Sequence, residues 1–120
     1  MKDIIRYGIV GIGGMGANHA NLFLQNKIKN GSLEAICDTN DEFAKNFPNI
    51  PFYNEVDNFL DKKLIDVAII ATPHRSHINL GKQALKRNIN IIIEKPLAVT
   101  SMQCREFIEF SKNYDSKFGI

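Results

Sequence analysis

The chain has 120 residues, 44% of them hydrophobic, and its 15 basic and 13 acidic residues leave a formal charge of +2. That length suits a single domain, and the charges are dispersed, which argues against a nucleic-acid surface or a charged tail. No apolar run is long enough to span a bilayer, and MKDIIRYGIV, broken by Arg6 and Gly8, has no signal-peptide core, so a cytoplasmic protein is expected.

Ile4 to Ile9 read as a first strand, nearly continuous in apolar character, as a strand covered on both faces requires. Gly11, Gly13 and Gly16 follow in G-x-G-x-x-G spacing. A helix is then expected from Gly14 to Gln25, with Ala17, Ala20, Phe23 and Leu24 at helical spacing and Asn30-Gly31 as the turn after it. Asn30-Gly31-Ser32 also fits a glycosylation sequon, which without secretion reads as a turn. Leu33 to Cys37 form the second strand, closing on Asp38. Asp41 to Asn46 suggest a short helix capped by Asn40 or Thr39. Phe52-Tyr53 suggest a short third strand between prolines and a brief helix at Val56 to Leu60.

Ile65 to Ala71 read as a buried strand that runs into Thr72-Pro73-His74-Arg75-Ser76-His77. A helix over Ile78 to Arg87 stops at Asn88. Asn90 to Ile93 form another buried strand, ending in Glu94-Lys95-Pro96. Ser101 to Asn113 read as a helix burying Met102, Phe107, Ile108 and Phe110, and Phe118 to Ile120 open a further strand. Alternating strands and helices specify right-handed βαβ units. The expected fold class is therefore α/β, a doubly wound, mainly parallel sheet with helices on both faces.

Ligands of such sheets bind beyond the carboxyl ends of the strands, where the glycines, Asp38, Thr72 to His77 and Glu94 to Pro96 all fall. Gly11 permits the turn, Gly13 admits a pyrophosphate close to the backbone, and Gly16 lets helix and strand approach. The helix N-terminus then presents N–H groups to the phosphates. Ile12, Gly14 and Met15 line that approach, although apolar residues there are more often core. Asp38 follows Gly16 by 22 residues, near the separation at which a carboxylate meets the adenosine ribose. It would repel a 2′-phosphate, and Thr39 and Asn40 supply no cation to hold one, so NAD is expected over NADP. Cys37 and Cys104 have no metal or redox spacing, and no metal site is expected. A structural reading suits His19, in the first helix.

The glycine motif, Asp38, Thr72-Pro73 with His77, and above all Glu94-Lys95-Pro96 resemble the Gfo/Idh/MocA family of NAD(P)-dependent oxidoreductases. The resemblance spans essentially the whole chain in order. It implies a Rossmann domain over residues 1–120, followed in the family by an α/β substrate domain absent here. It also implies hydride transfer between the nicotinamide cofactor and a hydroxyl-bearing carbon of a sugar, inositol or similar polyol. By position, Lys95 matches the lysine that contacts substrate and the nicotinamide end of the cofactor. Thr72 and Pro73 match the turn lining the cofactor cleft, His77 fixes that loop, and His74 stands where the family often has a polar residue that reaches the cofactor. Glu94 pairs with Lys95 or holds the loop, and a cis bond before Pro96 would aim Lys95 into the cleft.

The usual acid/base residue of the second domain has no counterpart, so a fragment or truncated product that binds cofactor without turnover is expected. Any homo-oligomer would depend on the missing domain. Two other readings stay open: an NAD-dependent glycosidase-type enzyme that oxidises and re-reduces its sugar, and a stand-alone dinucleotide-binding module.

Overall fold

Short apolar runs separated by helical repeats produce a single six-stranded sheet. The computed structural model describes residues 4–73, 76–94 and 101–115, and the backbone of 118–119. In chain order the strands are β1 (Ile5–Val10), β2 (Gly31–Cys37), β3 (Phe52–Tyr53), β4 (Val67–Ile70), β5 (Asn90–Ile93) and β6 (Phe118–Gly119). The helices are α1 (Met15–Leu24), α2 (Val56–Asp61), α3 (His77–Lys86) and α4 (Ser101–Ser111), with a 3₁₀ helix at Asp41–Asn46.

Every strand pairing is parallel, and the spatial order is β3-β2-β1-β4-β5-β6. The chain therefore works outward from β1 on one side and from β4 on the other. That reversal makes the β1–β4 boundary the topological switch point of a Rossmann fold, where a crevice opens at the strands' carboxyl ends.

Period-2 alternation sorts the strand residues onto two faces. Val10, Ala35, Cys37, Ala68, Ile70, Ile91 and Ile93 point to a core closed by Phe59 and Leu60 of α2, Leu80, Ala84 and Leu85 of α3, and Phe107 of α4. Ile9, Ile36 and Ile69 point the other way, into a smaller core with Ile12, Ala20 and Phe47. Each fully buried aliphatic side chain contributes about 1.5–3 kcal/mol against the entropy of ordering the chain.

The expected elements are present, and three details differ. Ile4 and Ile5 are exposed, because β1 is covered only along Gly8 to Val10. On β5, Ile92 is 41% exposed while Ile91 and Ile93 are buried, because alternation turns Ile92 to the face opposite the core that takes its neighbours. On α4 the inward stripe is the buried Phe107 with the partly buried Cys104 and Phe110, continued past the helix end by Tyr114, at spacings of three and four. Met102 and Ile108 fall off that stripe and are exposed, at 65% and 42%. Of the two expected caps, the 3₁₀ helix uses Asn40, whose side chain accepts the Glu42 N–H at 3.0 Å. The peptide bond before Pro96 lies outside the described residues.

Candidate functional site: a glycine turn beside an anchored carboxylate

The glycine turn leaves β1 at its carboxyl end. Gly11 has φ +89°, and its N–H donates to the Cys37 carbonyl at 2.8 Å, binding the turn to β2. Gly14 is the N-cap of α1 with φ +63° and ψ −115°, dihedrals that residues with a Cβ rarely adopt. Gly16 serves close packing: a Cβ there would lie 1.6 Å from the Gly11 carbonyl oxygen. Gly13 is exposed, and a Cβ on it would meet only Phe43, at 3.3 Å.

No side chain caps the N-terminus of α1, and no acidic residue occupies its first turn. The first N–H groups of a helix have no intrahelical partner, so this end favours an anionic ligand. Together with the bare backbone at Gly13 and Gly14, that is the chemistry a pyrophosphate requires.

Asp38 follows β2 and is held from two sides. Its Oδ2 accepts the Ile12 N–H and its Oδ1 accepts the Asn40 N–H, both at 2.9 Å. Its own N–H donates to the Tyr53 carbonyl at 3.0 Å. Each carboxylate oxygen has a further lone pair, so the group can still accept hydroxyl donors. Ile12 takes part through its main chain alone, because its side chain is 2% exposed and packs in the core. Met15, at the start of α1, is 52% exposed.

Across the crevice, the loop after β4 is knotted by its own side chains. The Ser76 hydroxyl lies 2.7 Å from Thr72 Oγ1 and 2.8 Å from the Pro73 carbonyl oxygen. His77, 1% exposed, places Nε2 2.7 Å from the Thr72 carbonyl oxygen. A carbonyl only accepts, so Nε2 carries the proton and the imidazole acts as a brace. Glu94, just past β5, pairs with Nε2 of His19 on α1. His74 and Lys95 lie outside the described residues.

Gly11, Gly13, Asp38, Thr72 and Pro73 thus line one cleft of about 540 Å³ at the switch point. Its other walls include Cys37, Thr39, Phe43, Ser76 and Leu80, which the sequence reading did not assign to a site. Leu80 stands one helical turn after Ser76 on α3, so an amphipathic projection of α3 would have placed it there. Phe43 gave no such signal, because its position depends on how the 3₁₀ helix folds back over Gly13. Burial, then the neighbouring Asp38 charge, push the Cys37 thiol up to about 12, so it is a neutral wall rather than a nucleophile.

A second concavity of about 380 Å³ lies at the opposite, amino end of the sheet. Both arginines there are paired: Arg6 with Asp66 at 3.1 Å, and Arg87 with Asp61 at 2.6 Å and Asp57 at 3.1 Å. The hydrogen bond to Asp66 raises the Arg6 pKa, and the bond to Asp61 does the same for Arg87. Among the described residues no cluster of three metal-binding side chains occurs, and no helix is long and apolar enough to cross a membrane.

Comparison with known proteins agrees with this geometry. The model of the oxidoreductase family GFO_IDH_MocA, NAD-binding Rossmann fold, matches residues 5–120. Inositol 2-dehydrogenase of Salmonella paratyphi B is 31% identical over 113 residues, covering 88% of this chain and 32% of that protein. A glycosyl hydrolase family 109 protein of a Shewanella species is 28% identical over 120 residues, covering 89% of this chain and 26% of that protein. The structure of scyllo-inositol dehydrogenase from Lactobacillus casei, with bound NAD(H) and scyllo-inositol, superposes with a TM-score of 0.83 at 23% identity. That superposition covers 97% of this chain and 36% of that one. The chain thus spans about a third or less of the length of these relatives.

Proposed function

Because the chain belongs to the Gfo/Idh/MocA family of oxidoreductases and forms its NAD-binding Rossmann domain, we propose that it is the cofactor half of a polyol dehydrogenase. The substrate class is a sugar, inositol or related polyol with a hydroxyl-bearing carbon. The observation that carries this reading is the Asp38 carboxylate, anchored by Ile12 and Asn40 beside the uncapped start of α1.

In this reading Asp38 accepts the adenosine ribose hydroxyls, and the N–H groups at Gly13 to Met15 hold the pyrophosphate. Phe43 walls the side of Asp38, while Thr72 and Pro73, braced by Ser76 and His77, close the other wall with Leu80. Asp38 repels a 2′-phosphate, and neither Thr39 nor Asn40 offers a cation, so NAD is preferred over NADP. NAD, when bound, supplies the hydride acceptor. Lys95 is assigned to the reacting carbon, where its ammonium would stabilise a developing alkoxide and orient the substrate. Residues 1–120 form one domain, and the acid/base group and substrate pocket belong to a second one, without which the chain binds cofactor but does not turn over. We further assign self-association to that second domain and place the protein in the cytoplasm.

Fluorescence titration of the 120-residue chain with NADH and, in parallel, NADPH tests this reading. Saturable binding with NADH clearly preferred supports it. A preference for NADPH would overturn the role of Asp38, and binding of neither would overturn the cofactor site. The likeness to the Shewanella glycosyl hydrolase family 109 protein favours a second reading, in which transient oxidation leads to glycoside cleavage. Product analysis on a protein carrying both domains separates the two: a dehydrogenase consumes NAD stoichiometrically, whereas the glycosidase chemistry returns it. A stand-alone binding module would show neither outcome.

A further inference from the structure

His19 and Glu94 are 75 residues apart in sequence and meet at the carboxyl edge of the sheet. The fold brings them together in three steps. Gly16 lies hard against Gly11, which pins the first turn of α1 over the switch point. His19, three residues later on the same helix, reaches Glu94 just past β5. On β5 the fully buried Ile93 faces α3 and α4, so alternation turns Ile92 and Glu94 toward α1. The Glu94 N–H donates to the Ile70 carbonyl at 3.0 Å, fixing its main chain on β4 while its carboxylate is fixed on α1. Both side chains are about 30% exposed, at 28% and 31%, so the contact is partly shielded from water.

Neither residue belongs to the cleft that holds Asp38. From β2 to β5 the sheet steps through three strand spacings, about 14 Å. A dinucleotide bound at a switch point places one half on each side of it. If Asp38 on the β2 side takes the adenosine ribose, the β5 side takes the nicotinamide half. Glu94, at the carboxyl end of β5, stands on that side.

We propose that His19 is a positioning residue for the nicotinamide half of the cofactor, acting through Glu94. The inference rests on reading the switch-point cleft as the cofactor site. By holding Glu94 on α1, His19 joins the helix that faces the phosphates to the carboxyl end of β5, so the Glu94 carboxylate is fixed before the cofactor arrives. Pre-ordering removes part of the entropic cost of binding, and it does so only for a ligand that reaches the β5 side.

The test compares NADH with ADP-ribose, which lacks the nicotinamide, on the wild-type chain and on His19→Leu, His19→Gln and Glu94→Gln. For His19→Leu, NADH affinity falls roughly tenfold while ADP-ribose affinity is unchanged. His19→Gln, which keeps an amide donor for Glu94, restores most of the loss. Glu94→Gln weakens NADH selectively as well, and it keeps the proposal testable should His19→Leu fail to fold. Equal loss of both ligands would reduce His19 to a brace of the whole domain and overturn the proposal, as would no loss of either. Failure of the wild-type chain to bind ADP-ribose would instead overturn the cofactor cleft itself, and this inference with it.

Discussion

The carboxylate of Asp38 accepts the main-chain N–H of Ile12 at 2.9 Å, which ties the loop after β2 to the glycine turn after β1. The carboxylate proposed to take the ribose and the turn proposed to face the phosphates are therefore one unit. Asp38 also accepts from Asn40, so its orientation is fixed before any ligand arrives.

Replacing Asp38 should act on binding and folding at once. Asp38→Ala leaves the Ile12 N–H without its acceptor, at a cost of about 1–3 kcal/mol in stability, and lowers NADH affinity at least about tenfold. Asp38→Asn keeps one acceptor oxygen but removes the charge. It should narrow the preference for NADH over NADPH, since repulsion of the 2′-phosphate is gone. Denaturant titration and parallel NADH and NADPH titrations read the two effects separately.

Gly16 and Gly13 should separate packing from ligand approach. Gly16→Ala drives a Cβ into the Gly11 carbonyl oxygen, a backbone atom that cannot swing aside, and should destabilise by more than about 3 kcal/mol. Gly13→Ala meets only the edge of the Phe43 ring, so it should cost less than about 1.5 kcal/mol of stability. It should nevertheless weaken NADH binding, because the methyl group intrudes where the pyrophosphate approaches. Thermal melts with and without NADH distinguish them.

Cys37 makes stability fall at alkaline pH. In the unfolded chain its thiol ionises near 9.0, and in the folded chain near 12, chiefly because burial disfavours the thiolate. Between those values the folded state holds a proton that the unfolded state has lost. Its contribution is complete below pH 9 and is lost toward pH 12, at up to about 1.4 kcal/mol per pH unit. Cys37→Ala should flatten that decline in denaturant melts between pH 8.5 and 10.5. In the native chain, iodoacetamide should label the half-buried Cys104 well before Cys37.

On α4, Phe107→Ala should cost about 3–5 kcal/mol, because the ring is fully buried against Gly81 and Ile91. Met102→Ala should stay within about 0.5 kcal/mol, since Met102 is exposed. Urea titration of the two variants checks the contrast.

The element order was legible because each strand is a short apolar run with a turn signal at its end, and Asn30, Asn88, Gly11 and Gly14 mark real positive-φ positions. The faces of α4 were also legible in principle. Cys104, Phe107, Phe110 and Tyr114 repeat at three and four, and Met102 misled only because apolar character was weighed without its angle around the helix. The glycine turn could be read because its positive φ at Gly11 and Gly14 and the close approach at Gly16 demand glycine, and Asp38 because a carboxylate at the end of the second strand is the residue proposed to meet a ribose. The partnership of His19 with Glu94 could not be, since nothing local to either residue encodes a contact made across two strands. Phe43 was hidden for the same reason.

The central claim is that the dinucleotide enters at the switch point, against the glycine turn and Asp38. Backbone amide shifts of the 15N-labelled chain on addition of NADH test it most directly. The account predicts the largest changes at Gly11 to Gly16 and at Asp38 to Asn40, with smaller ones at Thr72, Ser76 and Glu94. Shifts concentrated instead around Arg6, Asp66 and Arg87, in the charged concavity at the opposite end of the sheet, would contradict it.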